Sequence, residues 1–289
     1  MFKKVISCIL IIFVMLQPAA GFSYAKETEK TEYGEAKSLI LIEAKTGEVL
    51  FEQNPDEPLP PASVTKIMTL LLVIEAVDNE SVSLSDMVTV SNDAASMGGS
   101  QIYLEPGEQM TVEDMIKSVI IASANDAAYA LAEHIAGSEA EFVKRMNDRA
   151  KKLGMKNTNF ENTNGLDDTT QNHVTTARDI ALMSAELIKH KTILKYTTIW
   201  QDTVRDGKFT LTNTNRLIRF YNGCNGLKTG STSKAGFCMS ATAERDGMQL
   251  IAVVMGAPTR DKRNSIAKKM LDFGFANYSY YKDQGSLDN

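Results

Sequence analysis

The sequence predicts an α+β fold in which strands from both ends of the chain form one antiparallel sheet, flanked by helices, with an all-helical lobe inserted between them. Strand-like apolar runs occur near residues 38–53 and again after residue 209, whereas helical patterns dominate the segment between them. In addition, 289 residues of which 43% are hydrophobic can bury a sizeable core. We therefore expect one domain over residues 37–282, with the helical lobe at about 83–165.

The first 25 residues have the pattern of a secretory signal. Lys3 and Lys4 precede an almost entirely apolar run, and Ser23 and Ala25 supply small residues around a cleavage site after Ala25. An uncleaved anchor is the alternative, although the run is shorter than the about 20 residues of a membrane span. In both cases the rest of the chain is expected outside the cytoplasm. Residues 26–36 are charged and predict an exposed leader.

Charge and residue counts argue against several functional classes. The chain carries a net charge of −5, and residues 1–25 contain two lysines and no acid, so the mature chain would carry −7. That balance disfavours nucleic acid as a partner. The three histidines show no H-E-x-x-H or Cys/His cluster, and we expect no metal and no other cofactor. Cys224 and Cys238 leave open whether a disulfide forms, because spacing does not fix the distance between their Cα atoms.

The first predicted strand covers residues 38–44, with apolar residues on both faces. Val49 and Phe51 alternate with more polar positions in a second strand. Between the strands, Lys45 opens the first of two Lys-Thr-Gly triplets. Its glycine suits a β-hairpin turn, so this triplet is predicted at a loop tip with Lys45 in water.

Helical periodicity begins after three closely spaced prolines. Ser63 lies in the first turn of a helix whose apolar residues have the spacing of a largely buried element: Ile67, Leu70, Leu71, Ile74 and Val77. Further helices are predicted at 111–122, opened by a Thr-x-x-Asp cap, and then at 125–135, 138–153, 176–189 and 261–273. Later strands are predicted at 210–212, 226–229, 237–243 and 249–256, and a polar tail at 283–289.

Ser63 and Lys66 place a hydroxyl and an amine on adjacent turns of one helix face. A buried lysine near another cation can lose its proton near neutral pH and take a proton from a serine. The spacing alone is a weak signal, because Ser-x-x-Lys also occurs at residues 231–234, 265–268 and 279–282.

Two further motifs strengthen the interpretation through their order. Ser123-Ala-Asn125 is the one Ser-x-Asn in the chain and lies in a break between two helices. The second Lys-Thr-Gly triplet begins at Lys228, in a glycine-rich strand followed by Ser231, where small residues allow a ligand backbone to approach. These three motifs in this order predict a binding site that the first triplet lacks.

Ser-x-x-Lys, Ser-x-Asn and Lys-Thr-Gly in this order resemble the penicillin-binding serine D,D-peptidases, and within them the low-molecular-mass D-alanyl-D-alanine carboxypeptidases. The similarity runs from about Ser38 to Tyr281 and includes the segments DEPLPPASVTKIMT, SMGGSQIYLEPGE, SANDAAYALAEHIAG and NTNGLDD. It implies a β-lactamase/transpeptidase-like fold. It also implies removal of the terminal D-alanine from peptidoglycan pentapeptide stems, and covalent inhibition by β-lactam antibiotics.

The resemblance also implies residue roles. Ser63 would be the nucleophile, Lys66 the base for acylation, and Ser123 the relay of a proton to the leaving amine. Backbone N–H groups of Ser63 and Ser231 would form the oxyanion hole. Substrate-binding roles are implied for six residues: Asn125, Lys228, Thr229, Gly230, Ser231 and Arg263. Either Arg263 or Arg260 could bind the terminal carboxylate of the substrate. The resemblance also implies a cationic pocket in a chain whose net charge is negative.

Two alternative functions stay open at this point. A serine β-lactamase shares the fold and the motifs, but Ser123-Ala-Asn125 is not Ser-Asp-Asn. Glu161, the one acid considered as a deacylation base, lacks the E-x-x-x-N arrangement that positions hydrolytic water, and is more simply a loop residue. The second alternative is a non-catalytic peptidoglycan-binding protein, which the complete motifs disfavour.

The C-terminal region differs from that of many such carboxypeptidases. These continue into a β-rich domain and an amphipathic membrane helix, whereas this sequence ends soon after LDFGFANYSYY. The sequence therefore predicts a single catalytic domain with no stable membrane anchor after signal cleavage.

Overall fold

A computed structural model describes residues 35–168 and 170–283, with side chains described up to residue 277. The predicted signal peptide, nearly all of the predicted leader and most of the predicted polar tail lie outside the described residues. Within the part that is described, none of the helices has the length and hydropathy needed to cross a membrane.

The central element is a five-stranded antiparallel sheet built from both ends of the chain, which confirms the predicted fold class. Its strand order is β2-β1-β9-β8-β7. The strands are β1 Ser38–Glu43, β2 Val49–Gln53, β7 Cys224–Thr232, β8 Gly236–Arg245 and β9 Met248–Ala257. The first and last strands meet directly, with Leu39 of β1 opposite Val254 of β9. Among the described residues β7 pairs with β8 alone, so its other edge is available to a ligand.

Helices pack on the sheet and fill the segment between its strands. They are α1 Lys66–Asp78, α2 Asn92–Ala95, α3 Val112–Lys117, α4 Asn125–Ala136, α5 Glu139–Lys152, α6 Ala177–Lys189, α7 Lys191–Thr197, α8 Leu217–Phe220 and α9 Arg260–Asp283. A 3₁₀ turn, Ala62–Thr65, precedes α1, and a π-helical turn, Ser118–Ala122, follows α3. Two small ribbons complete the described elements: β3 Met87–Thr89 with β4 Gln109–Thr111, and β5 Gln201–Val204 with β6 Phe209–Thr212.

Helix α1 is the hydrophobic centre of the molecule. Ile67, Leu70 and Ile74 are fully buried, as the sequence spacing predicts. The helix packs between α4 and α6, because it is apolar on nearly every side and every side must be covered. This burial places Lys66, the first residue of α1, inside the protein.

The predicted helix caps are present in the structure. The hydroxyl of Thr111 accepts the backbone N–H of Asp114 at 3.1 Å, and Thr176 accepts that of Asp179 at 3.1 Å. The lobe at 83–165 is mainly helical but also contains the β3–β4 ribbon. Strands of three residues are too short to show alternation in a sequence, which explains why that ribbon was not predicted.

The last helix is longer than predicted. It was expected to end near Phe273, but α9 continues to Asp283. The following residue, Gly274, lies inside the helix, where an added Cβ would be 2.6 Å from Leu250 Cδ1. The glycine therefore allows α9 to pack closely on the sheet and does not end the helix.

The first Lys-Thr-Gly triplet forms the β1–β2 hairpin turn, as predicted. The carboxylate of Glu43 accepts the backbone N–H groups of Lys45 at 3.0 Å and Thr46 at 2.7 Å. The side chain of Lys45 is exposed at the tip. This triplet is therefore an ordinary turn held by a local acid.

Candidate active site

The second triplet belongs to a cleft of about 570 Å³ between the sheet edge and the helical lobe. Residues predicted from the sequence line it: Ser63, Ser123, Thr229, Gly230, Ser231 and Arg263. The other three predicted residues, Lys66, Asn125 and Lys228, are buried and bonded to side chains of this group or to one another. The structure thus brings all nine together.

The turn that carries Ser63 lies against the edge of β7. An added Cβ at Gly230 would be 2.7 Å from the backbone nitrogen of Ser63 and 3.0 Å from the carbonyl oxygen of Pro61. Only a glycine allows this approach without moving the turn. The glycine of the second triplet therefore sets the width of the cleft beside the serine hydroxyl.

The amine of Lys66 has three polar neighbours. Its Nζ is 2.9 Å from Ser63 Oγ, 2.5 Å from Asn125 Oδ1 and 2.8 Å from the carbonyl oxygen of Asn164. The last two atoms are oxygens that can only accept hydrogen bonds. The orientation of the Asn125 amide is fixed, because its nitrogen donates to the carbonyl oxygen of Gly98 at 2.7 Å. A neutral amine has two hydrogens, and these two acceptors use both. In that neutral form the lone pair of the amine would face the hydroxyl of Ser63.

The electrostatic environment favours that neutral form. Complete burial lowers the pKa of Lys66 well below its ordinary value, and the nearby charge of Lys228 lowers it further, while Asp126 opposes the shift. Burial also lowers the pKa of Lys228 to about 7, with a contribution from Arg263. Both shifts disfavour a second charge in this buried pair, and they favour Lys66 as the amine that acts as a base.

Ser123 enters the cleft through an unusual backbone conformation. Its φ is 64°, at the end of the π-helical turn, where the chain reverses into α4. The amine of Lys228 donates a hydrogen bond to Ser123 Oγ at 2.8 Å. Left-handed backbone in a non-glycine residue costs energy, and it turns this hydroxyl into the cleft beside the second lysine.

Two of the remaining predicted residues, Thr229 and Arg263, lie at one end of the cleft. Thr229 Oγ1 donates to Thr214 Oγ1 at 2.8 Å. Arg263 is only 3% exposed, and its guanidinium is held by Asn264 Oδ1 at 2.9 Å. Burial lowers the pKa of Arg263 to about 10, so the side chain remains a cation at neutral pH. The end of the cleft is cationic in an otherwise acidic chain, as the sequence analysis expects.

Other candidates from the sequence lie elsewhere. The carboxylate of Glu161 accepts the backbone N–H groups of Gln171 at 2.8 Å and Asn172 at 3.1 Å, so it stabilises its own loop. Cys224 and Cys238 are both free thiols. The strand register separates them, because Cys238 is opposite Gly230 whereas Cys224 is opposite Ala243.

One group of potential metal ligands occurs in the described residues: Glu75, Glu186 and His190. The guanidinium of Arg149 lies 2.7 Å from carboxylate oxygens of both glutamates. Lys189 also binds Glu186, at 2.7 Å, so two cations face the two carboxylates and the group is best described as a salt-bridge network.

Sequence reasoning did not identify several residues of the site. Asn164 contributes a backbone carbonyl, which has no residue-type signature. Trp200 and Thr214 lie in the connections that flank the β5–β6 ribbon, and Phe220 is the last residue of α8. The one sequence signal for Asn164 is the segment NTNGLDD, which resembles the family but assigns no role to its second asparagine.

His173 supports the turn that carries Ser63 from below. Its Nδ1 accepts the backbone N–H of Glu161 at 3.0 Å, so in the neutral ring Nε2 carries the proton and donates to Thr65 Oγ1 at 2.8 Å. Burial lowers the pKa of His173 to about 4. A proton on Nδ1 would break the bond to Glu161, so the ring supports the turn in its neutral form.

Acid is therefore expected to destabilise the fold through His173. The unfolded imidazole has a pKa near 6.5, so the unfolded state binds the proton first and stability falls as pH drops from about 6.5 to about 4. The shift corresponds to about 3 kcal/mol of unfolding free energy. Urea unfolding at pH 7 and 4.5 should show a smaller pH dependence in His173→Phe than in wild type. His134→Phe, at an exposed histidine, is the control, and an unchanged dependence in His173→Phe would contradict the assignment.

The fold and the cleft define a class of protein: serine enzymes that transfer acyl groups with a buried lysine beside the nucleophile. The chain belongs to the D-alanyl-D-alanine carboxypeptidase family, whose sequence model matches residues 25–259.

Individual relatives agree with the family. D-alanyl-D-alanine carboxypeptidase DacF of Bacillus subtilis is 51% identical over 96% of this chain and 72% of its own length. DacC of Escherichia coli is 41% identical over 91% of this chain, which spans 66% of that protein.

Solved structures are also similar. Penicillin-binding protein 5 of Haemophilus influenzae has a TM-score of 0.79 at 37% sequence identity. The similar region covers 84% of this chain and 71% of the Haemophilus chain. Penicillin-binding protein D2 of Listeria monocytogenes, solved with ampicillin bound, has a TM-score of 0.76 at 37% identity and covers 83% and 97%.

Proposed function

We propose that this chain is an exported serine D,D-carboxypeptidase. It removes the terminal D-alanine from peptidoglycan pentapeptide stems outside the cytoplasm and is acylated by penicillin at Ser63. The observation that carries the proposal is the buried amine of Lys66, whose Nζ lies 2.9 Å from Ser63 Oγ and has two further oxygen acceptors, Asn125 Oδ1 and the carbonyl of Asn164. The names of the relatives and the ampicillin-bound structure of the Listeria protein support the substrate and the inhibitor class.

Acylation begins with the proton of the serine hydroxyl. Lys66 Nζ takes this proton while Ser63 Oγ forms a bond to the carbonyl carbon between the last two D-alanines. The carbonyl oxygen gains the negative charge and lies against the backbone N–H groups of Ser63 and Ser231. Each such donor contributes about 3 kcal/mol of transition-state stabilisation.

Collapse of the tetrahedral intermediate releases D-alanine. The carbon–nitrogen bond breaks, and Ser123 passes a proton to the leaving amine and takes one from the neighbouring amine of Lys228 at 2.8 Å. The proton that Lys66 took from Ser63 then restores the charge of Lys228, so Lys66 is neutral again before hydrolysis. A water molecule then attacks the ester on Ser63 and gives it back its proton. The products are a peptide one residue shorter and the free serine.

Recognition of the substrate depends on its C-terminal carboxylate. Thr229 and the cationic groups of Lys228 and Arg263 lie at the end of the cleft where this carboxylate would bind. Asn125 has its side-chain amide fixed between Lys66 and Gly98 and would position a peptide amide. An enzyme that needs a free carboxylate next to the scissile bond removes one residue and not an internal segment.

Incubation with a pentapeptide muropeptide, followed by mass spectrometry, tests the proposal. The expected product has lost one alanine. Loss of a dipeptide or no change would contradict it. In parallel, the acyl-enzyme formed with a fluorescent penicillin should persist for many minutes, whereas rapid release of the opened drug would favour the β-lactamase alternative. A folded protein that is not labelled at all would favour the non-catalytic alternative.

The two Lys-Thr-Gly triplets provide a matched pair for a further prediction. Lys228→Ala should lower kcat/KM by about 10- to 100-fold, because a hydrogen bond to a charged group contributes about 1.5–3 kcal/mol. Lys45→Ala should change it less than about twofold, since that side chain is in water. Steady-state release of D-alanine measures both. Equal effects of the two substitutions would show that the wrong triplet has been assigned to the site.

A further inference from the structure

Three arginines line the cleft: Arg216, Arg260 and Arg263. The terminal carboxylate of a peptide needs one of them, together with the Lys-Thr-Gly strand. Arg263 fits that role because it is buried and held beside β8, with Nη1 3.5 Å from the carbonyl oxygen of Cys238. The proposed function therefore assigns no role to the other two guanidinium groups in the cleft, those of Arg216 and Arg260.

No acceptor among the described side chains forms a hydrogen bond or ion pair with the guanidinium of Arg216 or Arg260. Other arginines of the chain bind carboxylates, as Arg149, Arg178 and Arg205 do. Acids outnumber basic residues by 36 to 31 in the sequence. Two unpaired arginines in an acid-rich chain, both facing the same cleft, indicate a site for an anion that comes with the substrate.

The backbone around Arg216 is firmly held. The buried amide of Asn215 donates to the carbonyl oxygen of Gly226 at 2.8 Å, and that of Asn213 donates to the carbonyl oxygen of Ile199 at 2.8 Å. The backbone N–H of Thr214 donates to the carbonyl oxygen of Ile121 at 3.1 Å. A cation on a fixed backbone loses less conformational freedom on binding than one on a mobile loop.

Arg260 is one helical turn before Arg263 at the start of α9, so the two share a helix face. The charges act on one another. Burial lowers the pKa of Arg263, and repulsion from Arg260 and Arg216 adds to that shift. An anion that binds between these side chains would relieve the repulsion.

An aromatic wall, Trp200 and Phe220, lines the same cleft as Arg216 and Arg260. Trp200 and Phe220 line the cleft with their ring centroids 6.2 Å apart, and the guanidinium of Arg219 lies 5.5 Å and 5.6 Å from these rings. Phe220 is 66% exposed. Apolar rings exclude water from one side of an ion pair and offer a surface for the methylene groups of a side chain.

We infer that Arg216 and Arg260 form a second anion subsite, which selects stem peptides that carry a carboxylate on the side chain of the residue before the two D-alanines. That residue is the first one before the two D-alanines, whose own methyl side chains carry no charge. A long side chain ending in a carboxylate would lay its methylene groups on the aromatic wall and its charge between the two guanidinium groups. This inference rests on the proposed function.

The test compares two peptides that differ in one charge. Both have an N-acetylated third residue followed by D-alanyl-D-alanine. In one the third residue is 2-aminopimelate, with a free side-chain carboxylate, and in the other it is the side-chain amide. Each peptide is measured by kcat/KM for alanine release and by the concentration that halves the rate of labelling with a fluorescent penicillin. The second readout needs no turnover.

Wild type should favour the acidic peptide by about tenfold at low salt, and the preference should shrink at 0.5 M salt because the mouth of the cleft is open to solvent. In the double variant Arg216→Gln and Arg260→Gln the ratio should approach one. Lys152→Gln removes an exposed lysine from α5 and should keep the wild-type ratio.

Equal use of both peptides by wild type, or an unchanged ratio in the double variant, would overturn the second subsite while leaving the proposed function intact. If the peptides slow labelling by the fluorescent penicillin but release no alanine, the proposed function would be contradicted. The labelling readout would still give the preference between the acidic peptide and its amide. Absence of both labelling and turnover in the folded protein would overturn both.

Discussion

Replacing Ser63 with alanine is expected to abolish alanine release. The hydroxyl oxygen is the atom that forms the acyl bond, and no other group in the cleft replaces it beside Lys66. Removal of a catalytic serine reduces kcat by about 10⁴- to 10⁶-fold in enzymes of this kind of chemistry. The measurement is D-alanine released from a pentapeptide, with circular dichroism to verify folding.

A second Ser-x-x-Lys copy supplies the control for this substitution. Ser265 precedes Lys268 by three residues on α9 and is exposed. Ser265→Ala should therefore keep the wild-type rate within about twofold, as surface substitutions usually do. A Ser63→Ala protein that still released alanine at a comparable rate would remove Ser63 from the mechanism.

Replacing Lys66 has the second largest expected effect. Lys66→Ala should lower kcat/KM by about 10²- to 10⁴-fold, the range that general-base catalysis contributes. Lys66→Arg should be equally impaired, because arginine keeps the positive charge but does not give up its proton at accessible pH. The comparison separates a base from a merely cationic residue. An active arginine variant would contradict the assignment.

The pH dependence of the wild type tests the same residue. Activity should rise with pH as Lys66 loses its proton, and the midpoint should lie below the ordinary range of a lysine because burial and Lys228 both lower its pKa. Lys228→Ala removes a positive charge, so the charged form of Lys66 becomes more favourable and its pKa rises. The acidic limb of kcat/KM should then move to higher pH. A shift to lower pH would show that the two amines are not coupled as described.

The buried strand β1 and the proximity of Ser63 to Lys66 could be predicted from the sequence, because both depend on residues that are close together in the chain. Apolar residues on both faces of β1 mark a buried strand, and the spacing of Ser63 and Lys66 places their side chains on adjacent turns. The meeting of these residues with Ser123 and Lys228 followed from the resemblance to a family and not from periodicity. Tertiary contacts between segments that are 60 and 165 residues apart leave no periodic trace in one sequence.

Other parts of the site were not accessible from the sequence for physical reasons. The carbonyl of Asn164 completes the surroundings of Lys66, yet every residue has such a carbonyl. Arg216 is one of many charged surface positions until the fold places it in the cleft. Whether Cys224 and Cys238 are close enough to form a disulfide depends on the register of β7 and β8, and a shift of one residue would change that register.

The most direct test is to locate the covalent adduct after brief treatment with a penicillin. Mass spectrometry of the proteolysed protein should find the opened drug on the peptide that contains Ser63, at one equivalent per chain, and at a rate that falls sharply in Lys66→Arg. An adduct on Ser123 or Ser231, or a folded protein that carries none, would contradict the assignment of nucleophile and base.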